Sequence, residues 1–232
     1  MDQLSPARVS GSLLSDSRAV RGGFIDSLKA AQVTEAPYRH WALADMFPAD
    51  VVAALSQLPF PVPDLEGVSG ARELHNNTRC YFDPENNALH PVCGAVAEAF
   101  QDPVTVGAIM DATGAAIEDC FLRIEYAQDI DGFWLKPHTD LGVKKLTLLY
   151  YLADEPGQDE LGTDIYADAD TWTKRSAFSP NTAMMFVPSN NTWHGFEPRA
   201  IKGVRRSVII NYVTDEWRAR EQLAYPTPVR RA

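Results

Sequence analysis

The sequence predicts a mainly β protein with helices at its N-terminal end (α+β), and three observations carry that prediction. Its 232 residues suit one domain, because all-β barrels and sandwiches commonly run to about 200–250 residues as single units. Up to about residue 115 the apolar residues recur at helical spacing, whereas beyond it short apolar or alternating runs follow one another, broken by Gly, Pro, Asp and Asn. Strands of that length and spacing fit an antiparallel barrel or double sheet better than alternating βα units. The expectation is a jelly-roll core carried on N-terminal helices.

The elements follow in order. Met1 to Gly23 holds no apolar run long enough for a signal peptide or a membrane span, and residues 1–22 read as a flexible arm. A single domain is placed at 23–225, with helical support over 23–115, the jelly-roll core over 116–214 and a C-terminal helix over 215–225. In the support, Phe47-Pro48-Ala49-Asp50 opens a helix whose Val51, Val52, Leu55 and Leu58 share a face, and Pro59, Pro61 and Pro63 end it. Further helices are expected from Leu89 to Phe100 and from Val104 to Ala112, with an extended stretch from Glu73 to Phe82 between the first two. In the core, strands are expected at Cys120 to Tyr126, Lys145 to Leu152, Thr163 to Tyr166, Ala183 to Val187 and Val204 to Val213. Asp154 to Asp159, rich in acid, Gly and Pro, reads as a surface loop.

Composition narrows the function classes. A net charge of −10 argues against nucleic acid as a partner, since that affinity comes largely from Lys and Arg neutralising phosphates. The three cysteines, Cys80, Cys93 and Cys120, lack zinc-type spacing and read as reduced, mostly buried thiols of a cytoplasmic protein. No membrane partner is expected, and the chain is expected to be a monomer or homodimer.

The chemistry sits in the second half. In an extended segment, residues i and i+2 point the same way, so His138 and Asp140 can reach one metal while Thr139 turns aside. His194 comes 54 residues after Asp140, behind three expected strands, a separation that lets a jelly roll return it beside the pair. Two imidazoles and a carboxylate suit Fe(II) and leave positions open for chemistry. Arg205 follows His194 by eleven residues and shares a strand face with Ser207 and Ile209. If that face is the interior, the guanidinium needs an anion, and a small dicarboxylate chelating the metal at its other end would supply one.

The order Leu122-Arg123-Ile124-Glu125-Tyr126, Gly132-Phe133, His138-Thr139-Asp140, then Leu146-Thr147-Leu148-Leu149-Tyr150-Tyr151-Leu152 resembles the Fe(II)- and 2-oxoglutarate-dependent oxygenases of the prolyl 4-hydroxylase type. Phe186-Val187-Pro188, Trp193-His194-Gly195 and Arg205-Arg206-Ser207 continue the likeness, which covers about residues 120–213. The resemblance implies a double-stranded β-helix, with His138, Asp140 and His194 as catalytic metal ligands. It also implies that Arg205 binds the distal carboxylate of 2-oxoglutarate, with Ser207, Tyr151 and Tyr126 beside the co-substrate. If the register slips by one, Arg206 takes the place of Arg205. Gly162-Thr163-Asp164-Ile165 departs from the Gly-Gly-x-Leu of many relatives, with consequences for the cavity rim.

The implied reaction is hydroxylation of an unactivated C–H bond, using dioxygen and 2-oxoglutarate and releasing succinate and carbon dioxide, with ascorbate as a possible support. Relatives that halogenate carry a small residue where this chain has Asp140, which favours hydroxylation. A small metabolite or biosynthetic intermediate is the expected substrate, and a protein or peptide side chain the alternative. Arg79, Tyr81, Trp134 and Asn76 are candidate substrate contacts. A non-catalytic jelly-roll binding module and a cupin-like dioxygenase without co-substrate are the readings from further afield.

Overall fold

The computed structural model describes residues 16–64, 70, 79–153 and 155–232. Within them a helix, α1 (Ser17–Lys29), comes first. Asp16 caps it by accepting a hydrogen bond from the Arg18 amide at 2.9 Å, and Val20, Phe24 and Leu28 recur every four residues to bury one face. Residues 17–22 are therefore helical rather than a flexible arm, and residues 1–15 lie outside the described ones. Gly22-Gly23 conceals the helix in the sequence, because glycine disfavours helix interiors. At Gly23 the missing side chain has a packing reason: a Cβ there would lie 2.9 Å from the Met46 carbonyl oxygen.

Next come β1 (Gln32–Thr34), β2 (His40–Ala44), α2 (Ala49–Ser56), β3 (Cys80–Tyr81), α3 (Pro84–Leu89), α4 (Pro91–Gln101) and α5 (Pro103–Thr113). The last three helices each start on proline, whose missing N–H costs nothing at a first helical position. Asp83 and Asp102 cap α3 and α5 by accepting from the Asn86 and Val104 amides, both at 2.8 Å. The helix expected from Leu89 begins instead at Pro91, with the separate α3 before it. Of the expected stretch from Glu73 to Phe82, residues 73–78 lie outside the described ones, and Cys80–Tyr81 is strand.

The second half supplies β4 (Phe121–Asp129), β5 (Leu135–His138), β6 (Lys144–Tyr151), β7 (Asp164–Tyr166), β8 (Trp172–Arg175), β9 (Thr182–Phe186), β10 (His194–Phe196) and β11 (Arg205–Val213). They form two antiparallel sheets, one of seven strands in the order β1-β2-β9-β6-β11-β4-β3 and one of four in the order β5-β10-β7-β8. The large sheet thus recruits β1, β2 and β3 from the stretch read as helical support.

Alternation sorts the large sheet into two faces. Leu122, Ile124 and Tyr126 of β4, Leu146, Leu148 and Tyr150 of β6, and Val208, Ile210 and Tyr212 of β11 pack with α1, α2, α4 and α5 in one apolar cluster. Leu149, Tyr151, Met184 and Phe186 look the other way and meet Ile165 and Phe196 of the small sheet in a second cluster. The site lies between the sheets.

The expected C-terminal helix over 215–225 is absent; only a 3-10 turn, Arg220–Gln222, forms there. The tail instead runs alongside the start of β4. The Ala224 amide donates to the Leu122 carbonyl at 2.9 Å and the Val229 amide to that of Cys120 at 2.7 Å. Pro226 and Pro228, which have no amide hydrogen to donate, suit this extended course.

Candidate active site

His138 ends β5 and His194 opens β10, and the two are direct register partners. Their rings lie 4.4 Å apart between centroids. Asp140, two residues past His138, completes a cluster in which one ligand atom from each residue lies within 4.8 Å of the others. Each imidazole is oriented by a carbonyl two residues earlier: His138 Nδ1 is 2.9 Å from the Lys136 oxygen, and His194 Nδ1 is 3.0 Å from that of Thr192. A carbonyl can only accept, so Nδ1 carries the proton in both rings and Nε2 keeps its lone pair for a metal. Burial pushes the His194 imidazole down to about 4, reinforced by His138 and opposed by Asp140, so it is neutral at physiological pH.

Asp140 is held at both oxygens. Lys144 Nζ donates to Oδ1 at 2.5 Å and Thr147 Oγ1 to Oδ2 at 2.6 Å, while Asn211 Nδ2 donates to Thr147 Oγ1 at 3.0 Å. Burial alone would raise this carboxyl. The charge of Lys144, that of His194 once it is protonated in acid, and the two hydrogen bonds outweigh it and hold the group well below the usual carboxylate range. A carboxylate and two imidazoles are the donor set of the two-histidine, one-carboxylate iron centre. Sequence reasoning passed over Lys144 and Thr147, although both follow Asp140 closely, at i+4 and i+7.

The triad opens onto a cavity of about 70 Å³, enough for several water molecules, whose wall also includes Arg79, Glu125, Asp129, Arg205 and Ser207. Arg205 is buried on β11, and its Nε donates to the Leu161 carbonyl at 2.7 Å. Its Nη1 donates to Asp129 Oδ2 at 2.5 Å, and Arg79 Nη1 lies 2.7 Å from Asp129 Oδ1. Glu125 pairs with Arg123 at 2.7 Å. Arg205, not Arg206, is the cavity residue; Arg206 turns outward to Glu155 at 3.5 Å. Asp129 and Glu125 are further residues that sequence reasoning missed. Their signal was available, because alternation on β4 puts Arg123, Glu125, Ala127 and Asp129 on the face opposite Tyr126.

Four expected contacts are placed elsewhere. Tyr126 faces the helices and donates its hydroxyl to the Leu55 carbonyl at 2.9 Å, because it has the opposite parity to the cavity residues of β4. Tyr151 does point between the sheets, but its hydroxyl lies 2.8 Å from both Thr163 Oγ1 and Ser176 Oγ, and Thr163 is the residue that reaches the cavity. Tyr81 lies beneath the Arg123 guanidinium, 4.8 Å from its ring centroid. Trp134 packs over Gly70, where a Cβ would be 2.5 Å from the indole. Neither Tyr81 nor Trp134 is part of the cavity wall. Asn76 lies outside the described residues.

The Gly162-Thr163-Asp164-Ile165 stretch has a local explanation. A Cβ at Gly162 would lie 1.9 Å from the Ser176 carbonyl oxygen, so only glycine allows that approach. Asp164 is fully buried away from the cavity and accepts from Trp172 Nε1, Arg175 Nε, Arg199 Nη1 and the Glu197 amide at 2.6–3.1 Å. It ties β7 to β8 and to the segment after β10.

Neither a family model nor a curated protein matches the sequence. Solved structures do resemble it. A prolyl-4-hydroxylase from Pseudomonas putida aligns over 84% of this chain and 98% of its own, with a TM-score of 0.57 at 17% identity. Prolyl 4-hydroxylase from Phytophthora capsici aligns over 91% and 70%, with a TM-score of 0.55 at 15% identity. A prolyl hydroxylase from Trichoplax adhaerens, solved with a hypoxia inducible factor peptide fragment, aligns over 86% and 91%, with a TM-score of 0.52 at 10% identity. The chain therefore has the fold of the prolyl 4-hydroxylases.

Proposed function

We propose that this protein is an Fe(II)- and 2-oxoglutarate-dependent dioxygenase that hydroxylates an unactivated C–H bond. The observation that carries the reading is the convergence of His138, Asp140, His194 and Arg205 on one cavity between the two sheets. On this reading the sheets are the halves of a double-stranded β-helix. The triad would hold iron through the two Nε2 atoms and the Asp140 carboxylate, and Arg205 and Ser207 would receive the distal carboxylate of 2-oxoglutarate.

Bound iron, with 2-oxoglutarate and dioxygen, supplies the oxidant, and succinate and carbon dioxide leave. The chain's own residues prepare the site. The Lys136 and Thr192 carbonyls fix the tautomers of the ligand histidines, and Lys144 and Thr147 keep Asp140 ionised and oriented. Phe133, Leu149, Phe196 and Ile209 give the cavity apolar walls that limit water around the reacting groups. Tyr151 acts at one remove, by positioning Thr163.

A small metabolite or biosynthetic intermediate is the substrate class we favour, since a net charge of −10 disfavours an acidic macromolecule. A peptide side chain is the competing reading, which the likeness to a prolyl hydroxylase solved with a peptide fragment supports. The test is 2-oxoglutarate consumption with iron and ascorbate against metabolite and peptide libraries. Turnover should need Fe(II) and disappear in Asp140→Ala. Turnover that persists without 2-oxoglutarate would point instead to a dioxygenase with no co-substrate.

A further inference from the structure

The large sheet is wider than the small one that covers it. Seven strands face four, and the small sheet stops at β8, so the inner face of β1 and β2 runs on past its edge. On β2 alternation puts His40, Ala42 and Ala44 on that face, where the two alanines are exposed. Between this overhang and β8 lies a groove of about 460 Å³, within the range of small-molecule sites, with Ile165 and Met184 in its wall. It shares no lining residue with the catalytic cavity. Ser176 stands at the boundary, its oxygen taken up by the Tyr151 hydroxyl at 2.8 Å and the Thr163 amide at 2.9 Å.

Two groups in the groove lack partners among the described residues. His40 is buried, and its Nδ1 lies 2.8 Å from the Tyr38 carbonyl oxygen. A carbonyl can only accept, so Nδ1 carries the proton, and Nε2 is left as an acceptor to which no described residue donates. Burial, aided by the charge of Lys174 and opposed by the Tyr38 bond, lowers the imidazole below its ordinary value, so Nε2 stays unprotonated at neutral pH. Lys174 on β8 makes no salt bridge or hydrogen bond to the described residues, whereas its neighbour Arg175 is engaged by Asp164 and Glu160. Asp45, the acid of the lining, follows His40 by five residues, about 16 Å along an extended chain, and so stands at the other end of the groove from the imidazole that feels Lys174.

A neutral acceptor beside a cation calls for a ligand with two unlike ends. Lys174 suits an anion, while the His40 lone pair needs a donated hydrogen and repels a bare carboxylate. From this geometry we infer a second binding site, for small hydroxy carboxylates with an apolar tail: the carboxylate on Lys174, the hydroxyl donating to His40 Nε2, and the tail on Ala42, Ile165 and Met184. The site stands apart from the triad and does not depend on the reaction assigned there.

Calorimetry tests this on the protein loaded with an inert divalent metal and excess 2-oxoglutarate, which keeps a chelating acid from the triad. The probes are 2-hydroxy-4-methylpentanoate and 4-methylpentanoate, which has the same skeleton without the hydroxyl. The hydroxy acid should bind saturably, and its partner about 2- to 10-fold more weakly, the usual effect of one lost hydrogen bond. Lys174→Gln should weaken both acids about 10-fold. His40→Phe should weaken the hydroxy acid alone, to the level of 4-methylpentanoate. Should that buried variant not fold, Ala42→Phe, at an exposed position, fills the floor of the groove and should abolish binding of both. No saturable binding, equal binding of the two acids, or binding untouched by Lys174→Gln overturns the site. A heat that disappears in Asp140→Ala would place the hydroxy acid at the triad and overturn it as well.

Discussion

Replacing Thr147 with valine keeps the side-chain volume and deletes a hydroxyl that donates to Asp140 Oδ2 at 2.6 Å and accepts from Asn211 Nδ2 at 3.0 Å. Asn211 is fully buried and the Asp140 side chain is only 4% exposed, so water does not readily replace either partner. A hydrogen bond to a charged group contributes about 1.5–3 kcal/mol, and tenfold in an equilibrium constant is about 1.4 kcal/mol. Part of that stabilisation orients Asp140 toward the position facing the two imidazoles. Divalent-metal affinity should therefore fall about 10- to 100-fold, the range typical of removing a group that orients a metal ligand. Anoxic competition against a chromophoric chelator reads the change directly. Thr147→Ser, which restores the hydroxyl, should stay within a few-fold of wild type. Unchanged affinity in the valine variant, or an equal loss in the serine variant, would refute the idea that this hydrogen bond orients the ligand.

Three further outcomes are expected. Arg205→Leu strips Asp129 of a buried partner and should cost about 3–5 kcal/mol, or roughly 6–20 °C in Tm for a chain of this size, and a fall below about 3 °C by calorimetry would contradict the pairing. Burial alone would raise the Asp164 carboxyl, but the Glu197 amide, Arg199 and Trp172 hold it below its ordinary value. Its stabilising effect is thus complete above the unfolded-state pKa of about 3.9 and is lost as pH falls through the folded-state value. Asp164→Asn should accordingly destabilise most at neutral pH, with the gap to wild type in urea unfolding closing in acid; a gap that widens there would contradict the sign. Burial pushes the Cys93 thiol up to about 12 and Cys120 to about 11, giving thiolate fractions near 10⁻⁴ and 10⁻³ at pH 8. Native alkylation followed by mass spectrometry should find modification confined to half-buried Cys80, with all three labelled in urea.

What was legible in the sequence depended on how much each segment's pattern constrained its surroundings. β11 puts Arg205, Ser207 and Ile209 on one face and Arg206, Val208, Ile210 and Tyr212 on the other, so the grouping was legible, while its facing the interior was a condition set by the neighbouring sheet. On β4 alternation separates Arg123, Glu125, Ala127 and Asp129 from Leu122, Ile124 and Tyr126, but both faces are buried, so which of them looks into the cavity depends on β11 beside it. Tyr126 was placed by the family resemblance rather than by parity, and the structure turns it toward the helices while Asp129 lines the cavity. α1 was hidden by Gly22-Gly23, of which Gly23 is required by its close approach to Met46, a residue far along the chain. β10 is three residues long and exists because β5 and β7 flank it, so no local pattern announces it. The triad was readable because metal ligation constrains residue type more tightly than packing does.

The most direct measurement is an anoxic titration of the purified protein with Fe(II) and then 2-oxoglutarate, followed in the visible. The account predicts a charge-transfer band that requires both additions and is absent in Asp140→Ala. A wild-type protein that takes up Fe(II) and 2-oxoglutarate without any such band, or that binds neither, would contradict the assignment of His138, Asp140 and His194 as an iron centre facing a 2-oxo acid.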